Sequence, residues 1–509
     1  MSSLTKFFYS KSFWGLSVLG LNLAMGQMPF DLAVLAFVSL FLLGFFWTKY
    51  EPVGSEAFLW GLGFGAGYFS VTFVWIAQPF LIAPTKHGWL APLAILSLVI
   101  FLSLILSTCF FLAAKLGNGR SKNQKLLILF LFFLSSELIR SEFFLNFPWG
   151  LISSMWINFP PSQALALFGP YWLSGLTILS AFLLSRPWVG TSLGLIVIVA
   201  VYSFGYARLS TPTLERSNPI NIRIVQPNIK QSEKWDLELA SSFFQSYLEM
   251  SKSAGDLGID LIIWPETAIN FAIQNEKELR NLIAKKLNVP LLLGARRFDK
   301  KNKKLYNSAF LLAKNGDILD VYDKIRLVPF GEYIPFGKLL SNLNIFGLAT
   351  DGVIGFSSGV STGSFKTDKL GVFKILICYE AIFAEDSKGL YERPNWLVNI
   401  TNDAWFGSFS GPQQHLTLAR MRAIEQGVPM VRSANTGISA IIGPYGRVSS
   451  KLNLGSRAYL DGLLPVALQP TLYSRLGPRL WNILLISFTV LTIGILIFIK
   501  LLESYRKKH

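Results

Sequence analysis

Residues 372–380 read VFKILICYE, an apolar run that ends in Cys378, Tyr379 and Glu380. A short run rich in Val, Ile, Leu and Phe predicts a buried β-strand. Open α/β sheets place their reactive groups at the carboxyl ends of strands, so Cys378 stands where a nucleophile is expected. Because a free thiol is mostly protonated at neutral pH, such a cysteine needs a neighbouring base and donors for the oxyanion.

Two upstream segments supply those groups. Residues 264–266 read WPE, and residues 322–333 read YDKIRLVPFGEY. Taken singly, Glu266 is an ordinary strand-end carboxylate, Lys324 a solvated lysine and Cys378 a buried structural thiol. Their occurrence together and in this order instead predicts a general base, an oxyanion-stabilising cation and a nucleophile.

The composition places this chemistry at a membrane. The chain has 509 residues, 51% of them hydrophobic, and a mean hydropathy of +0.44, which is typical of a polytopic membrane protein. A net charge of +17 could suggest nucleic acid. Because the sequence contains no nucleic-acid-binding motif, the charge is better explained by cytoplasmic loops and anionic lipid, and we expect no nucleic acid partner.

Cysteine and histidine are too few for several common kinds of site. The two cysteines, Cys109 and Cys378, allow at most one disulfide, and Cys109 lies in an apolar stretch where it is expected to pack as a small hydrophobe. Three histidines, at positions 87, 415 and 509, give poor support for a His-rich metal site or a Cys-His-Asp triad. We therefore expect no metal and no cofactor, and a carboxylate as the base.

Apolar stretches divide the chain into three parts. A membrane-spanning helix needs about 20 mostly apolar residues. Such stretches occupy residues 12–26, 31–47, 57–79, 89–114, 126–145, 162–184, 188–207 and 478–499. The pattern predicts about eight spans: a membrane domain of about seven helices over residues 1–210, a catalytic domain over 218–468 and a last span over 476–502.

Loop charges predict the orientation of these spans. Lys and Arg are concentrated in residues 115–125, after the fourth span, and in residues 506–508, after the last, whereas residues 27–30 contain neither. By the positive-inside rule both termini face the cytoplasm, and a domain reached after seven spans lies across the membrane. In a bacterium this is the periplasmic side of the inner membrane. The first span could also be a signal peptide, but the further spans favour a retained anchor.

The catalytic domain alternates short apolar runs with amphipathic stretches. Strands are predicted at residues 220–225, 261–264, 289–294, 306–313, 372–377, 396–400 and 438–442, and helices at 275–288 and 412–426. This alternation predicts a layered α/β domain.

The segments quoted above, with NDAWF at residues 402–406, resemble those of apolipoprotein N-acyltransferases, the membrane-bound branch of the nitrilase, or carbon-nitrogen hydrolase, superfamily. In the membrane part, Glu137, Arg140 and FPW at 147–149 also resemble a family motif. The resemblance implies a polytopic α-helical membrane protein with an inserted nitrilase-like α-β-β-α sandwich. Residues 153–156 (SSMW) and 169–172 (GPYW) depart from the family pattern, which concerns contacts on the membrane side.

The resemblance also implies a role for each residue of the site. Glu266 is the general base, Lys324 the oxyanion-stabilising cation and Cys378 the nucleophile, and no metal takes part. The supporting and substrate-binding residues implied by the family motifs are Glu332, which orients Lys324 or the thiol, Tyr379 and Glu380, which lie beside the thioester, and Trp235, near the substrate. The Tyr379 backbone N–H is a further candidate oxyanion donor.

The implied reaction transfers a fatty acyl chain from a phospholipid to Cys378, and then to the N-terminal α-amino group of the diacylglyceryl-cysteine of an apolipoprotein. This is the last step of bacterial lipoprotein maturation. We expect a multi-pass monomer of the inner membrane, with the catalytic domain facing the periplasm and an apolar lid at residues 334–356 that excludes water from the thioester.

Two other readings of the sequence remain open. A membrane-tethered amidase or nitrilase would use the same three residues to hydrolyse a small amide, with water as the second nucleophile. A membrane scaffold with an inactive nitrilase domain is disfavoured because all three residues are present. Eight spans suit a lipid donor better than a soluble amide.

Overall fold

The computed structural model describes residues 11–144, 146–212, 216–252, 258–333, 355–389 and 392–506. The chain forms two compact units. The helical unit comprises Met1–Ala77, His87–Thr211 and Thr471–His509, and the sheet unit comprises Gln78–Lys86 and Pro212–Pro470. The lid expected at residues 334–356 lies outside the described residues, except for its last two positions.

The longer α-helices, numbered along the chain within the described residues, are α1 Lys11–Ala24, α2 Ala33–Tyr50, α3 Ser55–Thr72, α4 Leu90–Gly117, α5 Lys122–Leu138, α6 Pro170–Leu184, α7 Val189–Leu209, α8 Leu237–Lys252, α9 Lys277–Leu287, α10 Gly411–Gln426 and α11 Pro478–Arg506. Short helical turns lie at Val74–Ala77, Gln78–Leu81, Pro84–His87, Ile139–Phe144, Ile152–Trp156, Pro160–Ala164, Leu165–Phe168, Cys378–Ile382, Glu385–Ser387, Asp403–Phe406 and Leu472–Leu476.

Helices that could cross a membrane are fewer than the sequence predicts. Among the described residues, α2, α4, α7 and the Pro478–Leu502 part of α11 are long and apolar enough. A fifth results if α3 and Val74–Leu81 form one span, although the chain bends by 60° between them. The stretch predicted at 162–184 is also broken, since Gly169 has a φ of +79° and a Cβ there would lie 2.1 Å from the Tyr473 ring. Apolar composition predicted the helices but not these breaks.

A polar cluster lies inside the helical unit. The guanidinium of Arg140 donates to the carbonyl oxygens of Trp149 and Gly150, both at 2.7 Å. Glu137 lies 3.4 Å from Arg140 and accepts a hydrogen bond of 3.0 Å from the Ile152 N–H. The two charged side chains therefore pair with each other and hold the backbone of residues 149–152.

Two six-stranded sheets form the core of the sheet unit. The strands are β1 Asn221–Gln226, β2 Leu261–Ile263, β3 Leu291–Asp299, β4 Lys304–Leu312, β5 Ile318–Asp323, β6 Ser364–Thr367, β7 Gly371–Ile377, β8 Trp396–Thr401, β9 Met430–Ala434, β10 Ala440–Ile442, β11 Val448–Lys451 and β12 Ala458–Leu463. The first sheet has the order β12-β1-β2-β3-β4-β5 and the second β11-β10-β9-β8-β7-β6. Strands β1, β2 and β3 are parallel in one sheet, and β7, β8 and β9 in the other.

Helices cover each sheet, and the sheets touch each other. Apolar residues of α8 and α9 pack on the first sheet, and those of α10 pack on the second. The Ser433 hydroxyl of β9 lies 3.4 Å from the carbonyl oxygen of Val225 in β1 and 3.3 Å from that of Ile263 in β2. Strand β9 therefore lies against β1 and β2, which brings strand ends of the two sheets together.

Candidate active site

The predicted site residues follow strands that end at one edge. Glu266 comes three residues after β2, Lys324 directly after β5 and Cys378 directly after β7, while Asn402 follows β8. Because parallel strands align their carboxyl ends, this arrangement gathers polar side chains from both sheets. The structure thus brings together the three residues that the sequence selected.

Cys378 occupies a strained and buried position. Its φ is +49°, which is energetically unfavourable for any residue that has a Cβ. The residue is 5% exposed. Burial raises the pKa of the Cys378 thiol, the Glu266 charge raises it further, and the Lys324 charge opposes both. The thiol is therefore protonated at neutral pH and needs a base.

Glu266 is a buried carboxylate held on both oxygens. Oε1 accepts a hydrogen bond of 2.7 Å from the Asn307 amide and lies 3.3 Å from the Lys324 ammonium. Oε2 accepts a hydrogen bond of 2.8 Å from the Asn402 backbone N–H. Burial opposes ionisation, but Lys324 and Lys234, with these hydrogen bonds, outweigh it and lower the pKa of Glu266. Glu266 is therefore ionised at neutral pH and able to accept a proton.

Lys324 lies between two carboxylates. Its ammonium is 2.9 Å from Glu332 Oε2 as well as 3.3 Å from Glu266 Oε1. Burial alone would lower the pKa of Lys324, but the Glu332 and Glu266 charges raise it overall. Glu332 is fixed in turn by the Val328 N–H at 2.9 Å and the Asn307 amide at 2.9 Å. We call Glu266, Lys324, Glu332 and Asn307 the carboxylate–lysine cluster.

Glu380 joins the chain before Cys378 to the chain after Lys324. Its Oε1 accepts 2.7 Å hydrogen bonds from the Tyr322 hydroxyl and the Ile325 N–H. Its Oε2 accepts one of 2.7 Å from the Ile377 N–H. Burial raises the pKa of Glu380 to about 7, although the Ile377 N–H opposes this. The carboxylate thus fixes backbone on two sides of the site.

Trp235 contacts Arg296, and its neighbour Lys234 contacts Glu266. The Arg296 guanidinium is 4.2 Å from the centre of the half-buried Trp235 ring. Lys234 is 4% exposed and donates to the Glu266 carbonyl oxygen at 3.1 Å. Burial lowers the pKa of Lys234 to about 8, although the Glu266 charge opposes this. Sequence reasoning missed Lys234, because a lysine in a polar run usually faces solvent.

A fully buried ionic group lies behind Cys378. His415 Nε2 is 3.1 Å from the Cys378 carbonyl oxygen, and Nδ1 is 2.9 Å from Asp403 Oδ1. The Arg432 guanidinium lies 2.6 Å from Asp403 Oδ2. Despite burial, Arg432 and His415 lower the pKa of Asp403. Sequence reasoning missed this group too; its signal was an arginine in the apolar strand β9 and a histidine in the buried face of α10.

The described parts of the chain contain no group of three or more His, Cys, Asp and Glu side chains placed to hold a metal ion. The carboxylates of the site face lysines, amides and backbone N–H groups instead. The site thus combines a carboxylate, an ammonium group and a thiol.

Comparison with known proteins gives matches over both units. Residues 221–469 match the carbon-nitrogen hydrolase family model, and residues 19–183 match that of the apolipoprotein N-acyltransferase N-terminal domain. The apolipoprotein N-acyltransferase of Rhodopseudomonas palustris is 35% identical over 84% of this chain and 83% of its own. That of Bradyrhizobium diazoefficiens is 34% identical over 84% of each chain. The carbon-nitrogen hydrolase of Helicobacter pylori G27 aligns with a TM-score of 0.38 at 15% identity, over 52% of this chain and 94% of its own.

Proposed function

This chain belongs to the apolipoprotein N-acyltransferase family, and we propose that it N-acylates lipoproteins through a thioester on Cys378. The acyl donor is a phospholipid, and the acceptor is the N-terminal α-amino group of a diacylglyceryl-cysteine. Membership of this family favours acyl transfer over the hydrolysis of a small amide by a tethered amidase.

In the first half-reaction, the Cys378 sulfur attacks the carbonyl carbon of a phospholipid ester while Glu266 takes the thiol proton. The raised pKa of the thiol and the lowered pKa of Glu266 support a proton transfer coupled to attack, without a preformed thiolate. Lys324 and the Tyr379 N–H stabilise the oxyanion. The ester C–O bond then breaks, Glu266 returns the proton to the leaving oxygen, and a lysophospholipid departs.

In the second half-reaction, the acceptor amine attacks the thioester carbonyl carbon. A C–N bond forms, the C–S bond breaks, and the proton lost by the amine returns to the Cys378 sulfur through Glu266. Glu332 keeps Lys324 in place, Glu380 holds the backbone around the thiol, and Trp235 contacts substrate. Water must be excluded, because it would hydrolyse the thioester.

The observation that carries this mechanism is the joint position of Lys324 and Cys378 relative to Glu266. Lys324 lies 3.3 Å from the Glu266 carboxylate, and both charges act on the Cys378 thiol. A carboxylate, a lysine and a thiol set within mutual electrostatic reach and 1–6% exposed satisfy what thiol acyl transfer requires.

Intact-protein mass spectrometry tests the proposal. Protein with Cys109→Ser, which leaves one thiol, is incubated with a phospholipid of defined acyl chains. We expect a mass increase equal to one acyl group, lost on addition of a diacylglyceryl lipopeptide and absent in Cys378→Ala. A wild-type chain that acylates the lipopeptide without this adduct would contradict the mechanism.

We also propose the membrane arrangement predicted above: about eight spans, an α-β-β-α sandwich over 218–468, membrane parts over 1–210 and 476–502, and a monomer of the bacterial inner membrane with its catalytic domain in the periplasm. The division into two compact units near residues 211 and 470 supports these limits. In a chain without Cys109 and Cys378, a cysteine at the exposed Asn302 should react with an impermeant thiol reagent, whereas one at Ser121 should not until the inner membrane is broken. The reverse labelling order would place the domain in the cytoplasm.

A further inference from the structure

The peptide group that joins Cys378 to Tyr379 is held at its carbonyl end. His415 Nε2 lies 3.1 Å from the Cys378 carbonyl oxygen. A carbonyl oxygen only accepts hydrogen bonds, so Nε2 carries the proton in this contact. His415 touches the backbone of the proposed nucleophile, and the mechanism proposed above gives it no role.

The imidazole ring has a fixed orientation. On its other side, Nδ1 lies 2.9 Å from Asp403 Oδ1 and 3.1 Å from Arg432 Nη2. Asp403 is held by Arg432 at 2.6 Å and by the Thr401 hydroxyl at 2.9 Å. His415, Asp403 and Arg432 are each 0% exposed. Rotation of the ring would break contacts on both nitrogens in the fully buried interior.

The carbonyl contact determines where the Tyr379 N–H points. A peptide group is planar and nearly always trans, so its C=O and N–H lie on opposite sides. Cys378 has a φ of +49°, an unfavourable value that the surroundings must hold in place. A hydrogen bond to the carbonyl also polarises the peptide and makes its N–H a stronger donor.

We propose that His415, fixed by Asp403 and Arg432, is a positioning residue that aims the Tyr379 N–H at the oxyanion formed on the acyl carbonyl. The inference rests on the proposed function, because it requires acyl transfer at Cys378. His415 acts through the peptide and touches no reacting atom.

Two substitutions separate this role from a structural one. The amide nitrogen of Gln reaches about as far as Nε2, so His415→Gln can still donate to the Cys378 carbonyl. The amide of Asn reaches only about as far as Nδ1, so His415→Asn keeps contact with Asp403 and loses the carbonyl. Thr417→Val is the matched control, because it removes another buried polar group of the same helix, whose hydroxyl donates to the Gln413 carbonyl at 3.1 Å.

Each variant is made in the full-length Cys109→Ser protein and measured twice. The first measurement is the rate of Cys378 acylation by phospholipid. The second is the rate of Cys378 alkylation by iodoacetamide, a displacement that forms no oxyanion. We expect His415→Asn to slow acylation about 10- to 100-fold, somewhat less than removal of an oxyanion donor, and to leave alkylation unchanged. His415→Gln should retain most of the acylation rate, and Thr417→Val all of it.

Equal losses in His415→Asn and His415→Gln, a parallel loss of alkylation, or wild-type acylation in His415→Asn would each overturn the inference. Failure of the proposed function is a separate result. In that case the Cys109→Ser protein itself forms no acyl adduct, while its alkylation proceeds.

Discussion

The two units of the protein bury charge in different ways. In the helical unit, Arg140 directs its shortest hydrogen bonds to backbone carbonyl oxygens, and Glu137 accepts a backbone N–H. In the sheet unit, the carboxylate–lysine cluster accepts two backbone N–H groups, from Asn402 and Val328, but most of its contacts join side chain to side chain. Lys324 bridges Glu266 and Glu332, and the Asn307 amide donates to both carboxylates.

The difference separates a structural use of buried charge from a chemical one. Charges that satisfy backbone groups stabilise one chain conformation, and any change in their ionisation would break that conformation. Charges that satisfy one another can exchange a proton while the backbone stays in place. The carboxylate–lysine cluster is therefore suited to chemistry beside Cys378, and the pair in the helical unit is suited to holding a loop.

The largest expected effect is at the thiol. Cys378→Ala should remove acyl transfer and the acyl adduct completely, because no other group in the site can form a thioester, while the protein stays folded. The measurement is acylation of a lipopeptide by purified protein in lipid discs. Cys109→Ala is the control, since that thiol is buried in α4, and it should retain full activity. Loss of activity in Cys109→Ala alone would show that the wrong thiol had been chosen.

The next effect is at the base. Glu266→Gln keeps the shape of the side chain but cannot take a proton, so the rate of adduct formation should fall about 10²- to 10⁴-fold. Glu392→Gln, an exposed carboxylate paired with Lys366, is the control. Adduct formation at the normal rate in Glu266→Gln would exclude Glu266 as the base of the first half-reaction.

A substitution in the helical unit should lower the stability of the protein and leave the reactivity of Cys378 unchanged. Arg140→Met removes a charged donor from two buried carbonyl groups and the counter-charge of Glu137, which should lower the free energy of unfolding by about 3–5 kcal/mol. Thermal unfolding in lipid discs measures this, with the exposed Lys49→Met as control. At a temperature where Arg140→Met is folded, Cys378 should be alkylated at the wild-type rate. A stable but inactive Arg140→Met protein would assign the pair a catalytic role.

A smaller effect is expected at Lys234. Its charge helps to lower the pKa of Glu266, so Lys234→Met should raise that pKa. Because Glu266 acts as a base only when ionised, the acid side of the pH–rate profile for adduct formation should move to higher pH. The rate at neutral pH should change less than about tenfold. Lys230→Met, an exposed lysine paired with Glu233, should leave the profile unmoved.

Elements with a local sequence signal were predicted more accurately than elements that depend on contacts with distant residues. Apolar strands such as β2, β7 and β8 were predicted almost to the residue, because each is a short hydrophobic run. Strand β9 was missed because Arg432 and Ser433 interrupt its pattern. The Arg432 charge is tolerated inside the protein because Asp403 lies beside it and because Asn399 and the Ile438 carbonyl accept its other hydrogen bonds. The bend after Thr72 was missed because apolar composition continues through it.

For the candidate site, the sequence pointed to some of the residues and missed others. Glu266, Lys324 and Cys378 could be selected because each lies in a distinctive short segment and their order along the chain is informative. Asn307 could not, since an asparagine inside a strand has no local pattern that distinguishes it. Lys234 and His415 owe their importance to contacts with Glu266 and with the Cys378 carbonyl, across 32 and 37 residues of sequence.

The positive φ of Cys378 lowers the stability of the folded protein at the residue that we propose as the nucleophile. Glycine adopts this conformation without the roughly 1–2 kcal/mol that a Cβ costs there, so Cys378→Gly should unfold at a higher temperature than Cys378→Ala despite lacking a methyl group. Selection for heat resistance alone would therefore favour an inactive glycine at this position.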